Sequence, residues 1–195
     1  MVKITMKIDK SVILDIIILG VFTLYFIFKK NFEFLTYTVT IGLLIALIAT
    51  TSLKFKYPGL AKYGFSVWLL MHLLGGATHI NGIRLYDVIL IKMVESPLSI
   101  LRYDQFVHTF CYFVIALFML AIVKYYSKEG KKNIFAIGLI TVLAAVGIGA
   151  INEIIEFSTV VFFNAGAAVG DYYNNALDLV FNLIGALIAV LVSKK

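Results

Sequence analysis

The sequence predicts an all-α integral membrane protein, a bundle of about six transmembrane helices forming a single polytopic membrane domain over residues 1–195, with both termini cytoplasmic. Three observations carry that prediction. Hydrophobic residues make up 62% of the chain, charged residues only 14%, and the mean hydropathy is +0.98, whereas soluble domains carry far more charge. Apolar runs recur along the whole length, each near the roughly 17 to 25 residues that a helix needs to cross the hydrocarbon core. The lysines and arginines lie between those runs and are shared unevenly between the two sides.

The first span, Val12–Phe28, follows Lys3, Lys7 and Lys10 and so resembles a signal peptide. Its apolar run is long and no small-x-small cleavage pattern follows, which predicts a retained span. Leu35–Leu53 and Tyr63–Ile80 form the second and third. The stretch "NGIRLYDVILIKMVESPLSILR", Asn81 to Arg102, is too charged to cross lipid comfortably and is expected on the outer face, as a short helix or re-entrant piece ending near Pro97. Tyr103–Val123, Ile134–Phe157 and Asn174–Val192 complete the six. The single cysteine, Cys111, lies in the fourth span; it excludes an intramolecular disulfide and reads as a small buried hydrophobe.

With both termini inside, twelve of the 17 Lys and Arg residues fall on the cytoplasmic side and five outside. The net charge of +6 therefore reports orientation in the plasma membrane, and no nucleic acid partner is expected. The same topology places the intramembrane polar residues by depth, at about 1.5 Å of rise per residue. In "GIGAINEIIEFSTVVFF", Glu153 and Glu156 lie near the outer end of span five; Asp104 and His108 open span four there, His79 closes span three, and Asp178 and Asn182 begin span six.

Spacing decides whether they converge. Asp104 and His108 are four apart and Glu153 and Glu156 three apart, so each pair shares a helix face. Asp171, Asn175, Asp178, Asn182 and Gly185 form one stripe if their helix starts a turn early. His72 and His79 flank Gly75 and Gly76, where another helix could pack closely. Carboxylates crowded in low dielectric must protonate, pair with arginine or bind a cation. A divalent metal answers the excess: zinc, manganese or iron for a carboxylate and imidazole set, with magnesium possible for carboxylates and carbonyls.

Three short motifs, "RYDQFVHTF", "NEIIEFS" and "GDYYNNALDLVFNLIGAL", together with "MHLLGGATHI", resemble the YjdF-like family of multi-pass prokaryotic membrane proteins, a group without a settled activity. More distantly, Asp178-x-x-x-Asn182-x-x-Gly185 is similar to the closing motif of VanZ-like proteins, a family linked to glycopeptide resistance. The chain departs from the YjdF-like pattern at Phe157, in place of a Trp, and at Asn174, where an Asp is common and a potential ligand is lost. The resemblance implies the fold and the motif positions rather than a reaction.

The favoured function is a metal-dependent hydrolase or transferase acting on a lipid or lipid-linked substrate of the outer leaflet. His108, Glu153, Glu156 and Asp178 would hold the metal, with Asp104 steering His108 and one of Glu153, Glu156 and Asp104 serving as general base toward activated water. His72, His79, Tyr103, Asp171, Asn182 and Arg102 are candidates for substrate contact or for supporting the ligands. The alternatives are a cation- or proton-coupled transporter and a non-catalytic binder of outer-leaflet lipid or a small molecule. Transport needs a polar path inward, yet the inner halves of the last three spans read "FVIALFMLAIV", "IFAIGLITVLAA" and "GALIAVLV". No His-Glu-x-x-His or Gly-x-Ser-x-Gly signature is present.

Overall fold

The computed structural model describes residues 8–94, 100–127, 133–163 and 172–193. These form six long helices: α1 (Lys10–Lys29), α2 (Phe32–Phe55), α3 (Gly59–Ala77), α4 (Tyr103–Tyr126), α5 (Ile134–Phe163) and α6 (Tyr172–Val192). Five of them, all but α3, are long and apolar enough to cross a membrane. In α3 the 19-residue length suffices, but Lys62, His72 and the glycines dilute the apolar run. The chain divides into two compact units, one through Lys56 and one from Tyr57.

The first unit is an αα-hairpin. Asp9 caps α1 by accepting from the Ser11 N–H at 3.1 Å. Lys30, left-handed at φ 53°, ends it: its N–H reaches Ile27 O and the Asn31 N–H reaches Phe26 O, the paired bonds of a Schellman ending. Asn31 then accepts from the Phe34 N–H at 3.1 Å and starts α2 at once. The Phe26 and Phe34 rings, 5.0 Å apart and both buried, close the turn.

In the second unit α3 stops at Ala77, three residues before the expected end of its span. Asn81 and Gly82, at φ 51° and 82°, form the tight turn of a small hairpin, β1 (His79–Ile80) against β2 (Ile83–Arg84). A 3₁₀ turn at Leu85–Asp87 follows. The chain then runs back beside the start of α4, where Tyr103 N–H donates to Val88 O at 2.9 Å.

Helix α4 packs most extensively on α6, and α5 packs on both. The α4–α6 crossing is set by Gly185, where a Cβ would strike Thr109 O and come within 2.9 Å of Phe113 N, so only a glycine lets the two backbones approach so closely. Away from the polar end the interior is mainly apolar, with Val114, Ala116, Leu117 and Phe118 of α4, Val142 and Ala145 of α5, and Ala186 and Ala189 of α6; the buried Thr141 gives its hydroxyl to Ile137 O of its own helix. Large apolar side chains such as Leu143, Ile154, Val180 and Leu191 point outward, the pattern of helices whose solvent is lipid.

Candidate metal centre

α4 and α6 both begin, and α5 approaches its end, at one end of the second unit, so three helices deliver their polar turns to one place. Asp104 and His108 come from the first turns of α4, Asp178 and Asn182 from α6, and Glu153 and Glu156 from α5. α5 runs to Phe163, beyond the expected Phe157, so the two glutamates lie nearly two turns or more inside the helix rather than at its tip.

His108 is the hub. Its Nδ1 lies 3.0 Å from Asn182 Oδ1; an amide oxygen only accepts, so this bond forms when Nδ1 carries the proton. Nε2 is left facing Asp104 Oδ1 at 3.6 Å, longer than a hydrogen bond. Two ligands around a shared cation at about 2.0–2.2 Å lie roughly 3.3–3.6 Å apart, so that gap suits a bridging ion. The ligand atoms form two triads, Asp104–His108–Asp178 and His108–Glu153–Glu156, each with its atoms within 4.8 Å of one another.

The carboxylates are held but not neutralised. Asn174 donates its amide to Asp178 Oδ2 at 2.7 Å and to Asp104 Oδ2 at 3.3 Å, joining the two acids. Asn152 donates to Glu156 Oε1 at 2.8 Å. Glu153, 6% exposed, has both carboxylate oxygens buried without a hydrogen-bond partner, and Asp178, 1% exposed, has Oδ1 in the same condition. Buried anionic oxygens without donors are costly, and a cation would supply the partner they lack. The donor set, imidazole with carboxylates and amide-supported outer oxygens, fits a divalent metal.

Two further residues shape the pocket. Tyr112, 3% exposed, stacks on His108 with ring centroids 6.2 Å apart. A Cβ at Gly149 would meet Asn182 Nδ2 at 2.8 Å and the Tyr112 ring at 3.1 Å, so this glycine gives Asn182 the room to reach His108. Asn152, Tyr112 and Gly149 were not expected from the sequence; their signal was their helical spacing from Glu153, Glu156 and His108. Asn174, set aside there as a lost ligand, is instead the donor that bridges two acids.

Other expected residues lie elsewhere. His79 is exposed on β1 because the Asn81–Gly82 turn ends α3 early, and it belongs to neither triad. His72 stacks on Trp68 at 5.4 Å and bonds Tyr86 Oη at 2.5 Å. The space beside Gly75 is filled by the Tyr86 ring, 2.5 Å from where a Cβ would be, rather than by another helix. Tyr103 donates its hydroxyl to Met71 O at 3.1 Å, tying α4 to α3. Arg102 precedes α4, where its N–H donates to Gln105 Oε1 at 3.0 Å. Arg84 pairs with Asp87 at 3.1 Å. Asp171 lies outside the described residues.

A family model described as a predicted membrane protein, DUF2238, matches residues 11–194. The chain belongs to that family. The match takes in both units and every member of the two triads. No curated protein and no solved structure matches the chain. DUF2238 membership and the helices together make this an integral membrane protein.

Proposed function

We propose that this DUF2238 protein is a divalent-metal-dependent hydrolase or transferase that acts on a lipid or lipid-linked substrate at the outer leaflet of the plasma membrane. The observation that carries it is His108, its Nδ1 paired with Asn182, standing between two carboxylate sets whose buried oxygens at Glu153 and Asp178 have no donor. A divalent cation there supplies Lewis acidity toward an ester or phosphoester oxygen. The chain's own groups would hold it, and a carboxylate of the set would take a proton from water.

The apolar opposite half of α4, α5 and α6 supports a cup rather than a through-path and favours lipid chemistry over transport. Counted over six crossings, α3 included, the twelve-to-five sharing of lysine and arginine supports a cup open to the outside. DUF2238 membership is in keeping with the YjdF-like resemblance, while the VanZ-like one rests on Asp178, Asn182 and Gly185 alone.

Elemental analysis of protein purified without chelator tests the reading, together with release of headgroups from lipids in proteoliposomes. Bound transition metal, and turnover that stops on chelation and in Glu153→Gln, are expected. Protein that binds no metal and is indifferent to chelator in both stability and turnover would sink it.

A further inference from the structure

The two triads share His108 but lie against different helices: Asp104 and Asp178 come from α4 and α6, Glu153 and Glu156 from α5. We propose that the centre holds two divalent cations side by side, one toward each carboxylate pair, rather than a single ion. The proposal deepens the metal-dependent reading above and rests on it.

Each half shows its own want of a cation. On the α4–α6 side it is Asp178 Oδ1, on the α5 side both oxygens of Glu153, all of them buried and without a donor. Asn174 and Asn152 occupy Asp178 Oδ2, Asp104 Oδ2 and Glu156 Oε1. The remaining oxygens of Asp104, Asp178 and Glu153 stay available as ligands on both sides.

Charge leads to the same count. α5 and α6 contain no lysine or arginine, and the lysine of α4, Lys124, is at the far end of that helix. Among the described residues no lysine or arginine pairs with Asp104, Glu153 or Asp178. Asp104, Glu153 and Asp178, ionised beside a neutral imidazole, already carry three negative charges; one divalent cation leaves one of them uncompensated in a low-dielectric interior, and a second cation covers it. A neutral imidazole has a single nitrogen lone pair to give. One cation takes it, and the other is held by carboxylates alone, which manganese accepts in either position.

The experiment is a manganese titration of the full-length chain in mild detergent after stripping with chelator, with free ion counted by electron paramagnetic resonance. Two manganese ions per chain and a spin-coupled spectrum from neighbouring ions are expected. Glu153→Gln and Asp178→Asn, which keep side-chain size, should each lose one ion and the coupling, and either variant alone suffices if the other fails to fold. One ion per chain, or two with no coupling, would overturn the pair while leaving a mononuclear enzyme standing. No bound manganese, zinc or iron would remove both.

Discussion

The two ends of the same three helices are built on opposite terms. At one end α4, α5 and α6 meet through Val114, Phe118, Val142, Ala145, Ala186 and Ala189; at the other, one to three turns along, they meet through His108, Glu153, Asp178 and Asn182. The apolar end is held by side-chain interlock, which any comparable set of hydrophobes would supply. The polar end keeps carboxylates where an unpaired ionised group costs several kcal/mol. Helices that can associate through an apolar seam have no need of four acids, so the packing of the fold does not account for the polar end.

The largest effect expected from breaking that division is at its hub. His108→Ala should lower metal retention by more than about 100-fold, since it removes the imidazole common to both triads. Helical content and detergent-solubilised monodispersity should be unchanged, because the apolar seam is intact. A variant that retained metal like wild type would put the centre elsewhere.

Next comes the support for the hub. Asn182→Ala frees the His108 ring and should weaken metal binding by about 10- to 100-fold, the usual range for a residue that orients a ligand. Gly149→Ala should move binding in the same direction by less, since its Cβ would displace Asn182 by a fraction of an ångström. Both are read by competition with a chelator of known affinity.

Much of this was legible in the sequence, for a definite reason. Helix rise and repeat convert position into depth and face, so the four-residue step from Asp104 to His108 and the three-residue step from Glu153 to Glu156 already placed each pair on one face. The start of α6 before Asn174 likewise brought Asp178 and Asn182 into line. Failures came where a local feature overrode the repeat. Asn81–Gly82 turned the chain, so that α3 ends at Ala77 and His79 is exposed on β1, outside both triads. Tyr86, from a segment with no long-range pattern, filled the space beside Gly75. Asn174 was set aside as a lost ligand, whereas its amide acts as a donor, and no spacing rule reports which acids one amide will join.

Gly185 tests the fold side of the comparison. Gly185→Ala forces a methyl group against Thr109 O and the Phe113 amide, both backbone atoms that cannot rotate away. The cost of overpacking is typically about 1–3 kcal/mol, and the α4–α6 crossing should loosen by that order. Thermal unfolding in detergent should shift downward whether or not metal is present. A loss seen only in metal-loaded protein would mean that this crossing exists to form the centre and does not belong to the fold alone.

The smallest effect separates the cluster from polarity in general. Tyr103 sits one residue before Asp104, yet its hydroxyl points to Met71 O on α3 and not to any carboxylate of the triads. Tyr103→Phe removes one hydrogen bond and leaves a carbonyl already engaged in its own helix, so stability should fall by only about 0.5–1.5 kcal/mol. Metal affinity should not move. Equal losses of metal in Tyr103→Phe and Asn182→Ala would show that the whole end of the bundle responds as one body, and the functional boundary would then have to be drawn around α3 as well. An unmoved affinity confines it to the faces of α4, α5 and α6 that converge on His108.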